Sequence, residues 1–221
     1  MKPRSEDGGS LGEFALPKTD LGIRTSDLGI FLHASSVVVD GGAVLFLGHT
    51  TAGKSTIVRL LGQAYPVLAD DSVYAVRRRE GDWRVVDGSF RFGRDELPGW
   101  QEEVRLRAEG AGAVPLRGCF RIHKAETVKI EPLAPVDLAR YLMDAAMEID
   151  LQRKAGRPSP QKGGAVYKGE AICQRRRQWF HWVAEIARGC PGWHLWFSKD
   201  THFRELCATL SSLTASVRRQ P

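Results

Sequence analysis

The residues Gly48-His49-Thr50-Thr51-Ala52-Gly53-Lys54-Ser55 meet the pattern G-x-x-x-x-G-K-[ST] in full. This spacing suits the binding of a polyphosphate. Glycines at the two ends allow backbone angles that turn successive N–H groups inward onto oxyanions. A helix starting at Lys54 adds the positive end of its dipole. Lys54 supplies a point charge for the β- and γ-phosphates, and the Ser55 hydroxyl is a ligand for Mg²⁺. The pattern predicts a nucleoside triphosphate, ATP with Mg²⁺, as the ligand. The bland alternative is a glycine-rich turn without a ligand.

Asp70-Asp71 ends a short apolar segment soon after this helix. A strand–loop–helix–strand path brings such a segment back toward the phosphate site. One carboxylate there could help hold Mg²⁺ and the other could take a proton from an attacking hydroxyl. Neighbours on an extended segment point opposite ways, so only one is expected to face the γ-phosphate. A helix cap or turn is the structural alternative. His33 opens the segment His33-Ala34-Ser35-Ser36-Val37-Val38-Val39. A lone histidine is more often structural than catalytic.

These groups need a frame. Ala43 to Leu47 is an unbroken apolar run, as in a strand buried on both faces, and it leads straight into the glycine loop. Ser36 to Val39 precedes it as a strand, with a turn at Asp40-Gly41-Gly42. Lys54 to Tyr65 reads as a helix with Ile57, Leu60 and Leu61 on one face and Pro66 as its stop. Strands are expected at 67–69, 73–77, 83–86, 116–122, 127–131 and 194–198. Helices are expected at 135–150, 169–188 and 201–217, the last with Asp200 as N-cap. The segment 88–115 has no clear pattern, and 153–164 reads as a linker or substrate loop. The hairpin at 73–86 predicts a mixed sheet with more antiparallel pairing than a doubly wound nucleotide-binding domain. Residues 1–20 read as a loose tail and 21–221 as one domain.

The 221 residues carry 32 basic and 26 acidic side chains, a net charge of +6 that suits an anionic ligand and by itself does not point to nucleic acid. Arg77-Arg78-Arg79 and Arg175-Arg176-Arg177 are short enough to be solvated faces. The four cysteines (Cys119, Cys173, Cys190, Cys207) form no C-x-x-C pair and are expected to be reduced. The polar start of the chain has no apolar signal core, and no run approaches the ~20 apolar residues of a membrane span. A cytoplasmic protein without membrane contact is the expectation.

The stretch LHASSVVVDGGAVLFLGHTTAGKST followed by LADDSV resembles the HPr kinase/phosphorylase group of P-loop proteins, itself similar in fold to phosphoenolpyruvate carboxykinases. The match is strong over residues 28–75 and recognisable at 114–117, 132–133 and 193–200. The N-terminal domain of that group has no counterpart in 1–27. The resemblance implies an α/β P-loop mixed sheet with flanking helices. It implies that Gly48, His49, Thr50, Thr51, Ala52, Gly53, Lys54, Ser55 and Thr56 hold the phosphates and that Ser55 binds Mg²⁺. Asp70 would be the general base, His33 would sit beside it and tune its charge, and Asp71 would support the metal or the loop. Thr50-Thr51 replaces the usual Ser-Gly, Thr56 stands where the bifunctional enzymes carry Glu, and the glycine- and isoleucine-rich segment beyond the double Asp that those enzymes use for HPr and for phosphorolysis has no counterpart, which points away from both.

The reading is therefore an ATP-dependent kinase acting on a hydroxyl of a peptide, protein or small molecule. A nucleotide-binding scaffold without transfer and a P-loop ATPase are the rivals. Self-association into a homo-oligomer stays open.

Overall fold

A computed structural model describes residues 29–78, 82–88, 112–155, 165–201 and 203–217; side chains are described for these except 152–155, 165–172 and 214–217. The expected tail at 1–20, nearly all of the unassigned segment 88–115 and most of the expected linker at 153–164 lie outside these residues. The described residues form a mixed α/β fold. Its strands are β1 (Gly29–Leu32), β2 (Ala34–Val39), β3 (Gly42–Leu47), β4 (Val67–Ala69), β5 (Val73–Arg77), β6 (Trp83–Asp87), β7 (Val114–Lys124), β8 (Lys129–Leu133) and β9 (Gly192–Phe197). Its helices are α1 (Lys54–Leu61), α2 (Pro135–Ala155), α3 (Ala165–Gly189) and α4 (Phe203–Val217).

All nine strands join one sheet. Only β3–β7 and β7–β9 pair in parallel; the remaining pairs are antiparallel, as the 73–86 hairpin predicted. β7 is the hub. Val114 and Pro115 pair with β6, the middle of the strand with β3, and Cys119 to Lys124 with β9. Every residue of β3 is buried, which explains its uninterrupted apolar sequence. β2 and β3 are joined by the two-residue turn Asp40-Gly41. Both residues have positive φ (49° and 75°), the turn geometry whose twist matches that of paired strands.

Two apolar layers flank the sheet. Leu45, Leu47 and Cys119 pack with Leu138, Leu142 and Ala145 of α2 and Val183 and Ile186 of α3. Phe46, Phe120 and Ile122 pack on the other face with Ile57 and Leu61 of α1 and Leu206 and Leu210 of α4. Alternate residues of one strand therefore serve opposite helix layers. All four cysteines are free; Cys119 and Cys190 are buried together, and their hydrogen bond, with burial, holds the Cys119 thiol well above its ordinary range.

The structure adjusts several expected elements. α1 stops at Leu61, where Gly62 takes over as C-cap, before Pro66 is reached. Val58 rather than Leu60 completes its fully buried stripe. β1 is an added strand. α2 runs on to Ala155, and α3 begins at Ala165, so helix borders both sides of the expected linker. β7 extends from 114 to 124, and β8 lies two residues later than expected. Asp200 sits in a turn closed by Ser198 and Thr201, short of α4, and is not its cap. Arg175, Arg176 and Arg177 are exposed on α3, with Arg175 3.8 Å from Asp150.

Candidate functional site

β3 delivers the chain into the glycine loop at the sheet edge where β3, β7 and β9 all end. Gly53 has φ 107°, a conformation side chains rarely adopt, and it is the residue before α1. Gly48 serves a different purpose from the expected one. A Cβ there would lie 2.7 Å from the Ala52 Cβ and 3.0 Å from Ile122 Cγ1, so glycine provides space rather than a special angle. Thr51 also has positive φ (72°). The first helical bond runs from Ile57 N–H to Gly53 O, which frees the N–H groups of Lys54, Ser55 and Thr56 at the helix head.

Lys54 is buried, and its Nζ donates to the carbonyls of Gly48 (2.8 Å) and His49 (3.2 Å). Burial lowers its pKa below the ordinary 10.5; Glu148 and Asp71 act to raise it, Arg121 to lower it, and Asp70 to raise it. The unfolded chain thus holds this proton more tightly than the folded one, and stability rises with pH between the lowered value and 10.5. Lys54→Met removes that dependence. Urea midpoints measured from neutral pH toward 10.5 should shift in favour of the wild type relative to the variant, and parallel profiles would contradict this.

The two aspartates diverge. Asp70 Oδ1 accepts hydrogen bonds from Ser35 Oγ (2.9 Å) and Ser55 Oγ (3.0 Å). Asp71 turns the other way, with its Oδ1 3.2 Å from His33 Nδ1. The divergence arises from a positive φ of 94° at Asp71 rather than from strand pleating. β4 does not pair with β3, because β2 lies between them, so Asp70 reaches α1 from two strands away. His33 accordingly faces Asp71, not Asp70 as the resemblance implied. Its Nε2 is 3.5 Å from Glu148 Oε1, and neither carboxylate contact has hydrogen-bond geometry.

Glu148 was not foreseen. It projects from α2 and accepts a 2.7 Å hydrogen bond from Thr50 Oγ1, linking the loop to His33. Its one sequence signal is a carboxylate three residues after Ala145 and beside Ile149, at the border of a buried stripe. Ser35 was also unforeseen, although a serine pair inside a β-branched strand is a polar group that must be satisfied. Its hydroxyl both donates to Asp70 and lies 3.4 Å from the Asp71 N–H. Arg121 is brought alongside by the pairing of Leu47 with Arg121.

The sequence model of the SynChlorMet cassette protein ScmC family matches residues 23–210, a span containing every residue of this site. The chain belongs to the ScmC family. No curated protein matches it significantly. Among solved structures it is similar to the Hpr(Ser) kinase/phosphatase from Coxiella burnetii, at 11% identity over 85% of this chain and 95% of that one. The TM-score of 0.36 is too low for that likeness to bear on the chemistry of this ScmC-family chain. Among the described residues no helix is long and apolar enough to cross a membrane.

Proposed function

We propose that the chain is an ATP-dependent kinase of the HPr kinase-like type, transferring the γ-phosphoryl group to a hydroxyl on a peptide, protein or small molecule. The supporting observation is the hydrogen bond from Ser55, at the head of α1, to Asp70 from a separate strand. A loop serine paired with a carboxylate is the arrangement that Mg²⁺-dependent phosphoryl chemistry uses, and Asp70's second oxygen is left to receive an acceptor's proton.

In this reading the N–H groups of Lys54, Ser55 and Thr56 and the loop from Gly48 to Gly53 hold the phosphate chain. Lys54 leaves the carbonyls of Gly48 and His49 and pairs with phosphate oxygens. Asp70 accepts the proton of the acceptor hydroxyl as the acceptor oxygen bonds to the γ-phosphorus. The bond from that phosphorus to the β–γ bridging oxygen breaks, and ADP leaves. His33, Asp71 and Glu148 act as positioning groups around the loop.

The donors fit Mg²⁺. They are a hydroxyl and a carboxylate oxygen, and among the described residues no cluster of three or more His, Cys, Asp or Glu builds a dedicated metal cage. Mg²⁺ ordinarily takes one or two carboxylates and completes its shell with phosphate oxygens and water. Ser55 and Asp70 would hold it, while Asp71, turned toward His33, would stay out of its shell, and its charge would offset that of the phosphates.

A cavity of about 430 Å³ opens beside this pair, lined by Ser55, Val58, Arg59, Gly62, Gln63, Val67 and Asp70. In this reading the acceptor enters by it, next to Asp70. Incubation with γ-labelled ATP, Mg²⁺ and panels of serine-containing peptides and small alcohols should produce a labelled acceptor. ATP binding without transfer to any acceptor would favour a scaffold. Rapid acceptor-free hydrolysis would favour an ATPase.

A further inference from the structure

Asp70 and Asp71 stand on one side of the glycine loop, beyond β2; β7 and β9 lie on the other. The three parallel strands end at the same edge, the usual place for ligands in α/β sheets. A triphosphate with its reacting end at Asp70 must extend the rest of its length away from those carboxylates, over β7 and β9. The side chains there have the character such a ligand needs.

Arg121 lies with its guanidinium 4.5 Å from the Tyr141 ring centroid. Among the described residues no carboxylate pairs with it, and its Nε is buried without a hydrogen-bond partner. Its strand partner is Leu47, the residue before Gly48, whose carbonyl holds Lys54 Nζ, so the two cations belong to the same end of β3. Two cations held together without a carboxylate on the second are poised for an anion between them. Two residues further along β7, His123 stacks on Trp196 at 4.9 Å with 18° between the rings. His123 Nε2 is 2.9 Å from His194 Nδ1, and both rings are half-buried, as is Trp196. Burial, then His194 and Arg121, lower the His123 pKa, so the stack is neutral at physiological pH.

We infer that this shoulder is the nucleoside subsite, with Arg121 on the phosphate chain and the His123–Trp196 stack as the platform for the base. The inference rests on the nucleotide-binding reading above and adds the location of the nucleoside half of the ligand. Cation and ring in alternation is the chemistry that holds bases without hydrogen-bond readout.

The test measures, by calorimetry, binding of a non-hydrolysable ATP analogue with Mg²⁺ and, separately, of inorganic tripolyphosphate. Trp196→Leu should weaken the ATP analogue about tenfold and leave tripolyphosphate unchanged, while Trp196→Phe restores most of the loss. Arg121→Gln should weaken both ligands, by roughly 10- to 100-fold. In the unmodified protein 8-azido-ATP should label the peptides holding 121–124 or 192–197, a readout that does not depend on a variant folding. Unchanged ATP-analogue binding in Trp196→Leu or in Arg121→Gln, or label confined to 58–70, overturns the subsite and leaves the phosphate loop standing. If the wild type binds neither ligand, the phosphate loop reading and the subsite fall together.

Discussion

Asp70→Asn is expected to lower phosphoryl transfer by roughly 10²- to 10⁴-fold, the usual contribution of a positioned general base. The substitution keeps the side-chain shape and an oxygen that can still accept from Ser35 Oγ, which is 2.9 Å away in the wild type. It removes the ability to take a proton. Both wild-type hydrogen bonds fall on Oδ1, so the other carboxylate oxygen is the one left for the acceptor. Affinity for the ATP analogue should change far less than the rate of transfer. Because Asp70 is also a candidate Mg²⁺ ligand, the assay is run across a range of Mg²⁺ concentrations. Persistence of the defect at saturating Mg²⁺ identifies a base, and full rescue identifies a ligand. A variant that transfers phosphate at the wild-type rate would remove Asp70 from the chemistry altogether.

The second large effect is on stability. Phe120 is fully buried at the centre of the sheet, stacked on Trp193 at 4.9 Å and tilted toward Phe46 at 5.9 Å. Phe120→Ala deletes a ring from the layer that joins β3, β7 and β9 to α1 and α4, where collapse is limited by strands on both sides. The expected cost is ~3–5 kcal/mol. That is a large part of the ~5–15 kcal/mol by which domains are stable, and for a domain of this size it lowers the melting temperature by roughly 6–20 °C. Urea titration would read it directly. The ring is on the face away from Arg121, since neighbouring strand residues alternate, so nucleotide affinity in the cold should survive. A loss below ~1 kcal/mol would mean that this layer is not the core it is taken for.

Much of the frame was legible because local physics determines it. The run from Ala43 to Leu47 has no polar residue, so a strand covered on both faces was its natural reading. Asp40-Gly41 marks a turn by chemistry alone. The glycine loop is a contiguous motif, so its residues needed no long-range information. Glu148 belongs to the site only because α2 crosses the sheet face behind His33, whose N–H donates to Ala145 O at 3.0 Å. Nothing in the spacing from 50 to 148 encodes that contact. The pairing of His33 with Asp71 rather than Asp70 likewise depends on one left-handed residue, which no pattern of polarity announces.

The glycine loop, the acidic pair after it and a mixed sheet with helices were legible along the chain, because each follows from neighbours in sequence. Which carboxylate faces Ser55, the meeting of Glu148 with Thr50 and of Ser35 with Asp70, and the placing of Arg121 beside Leu47 with His123 and Trp196 further along β7 and β9 all came from the folded arrangement. Those outcomes depend on strand order, with β2 between β4 and β3 and with β7 and β9 beyond β3. Strand order is the net result of burying many distant side chains at once, so it is not written in any one segment.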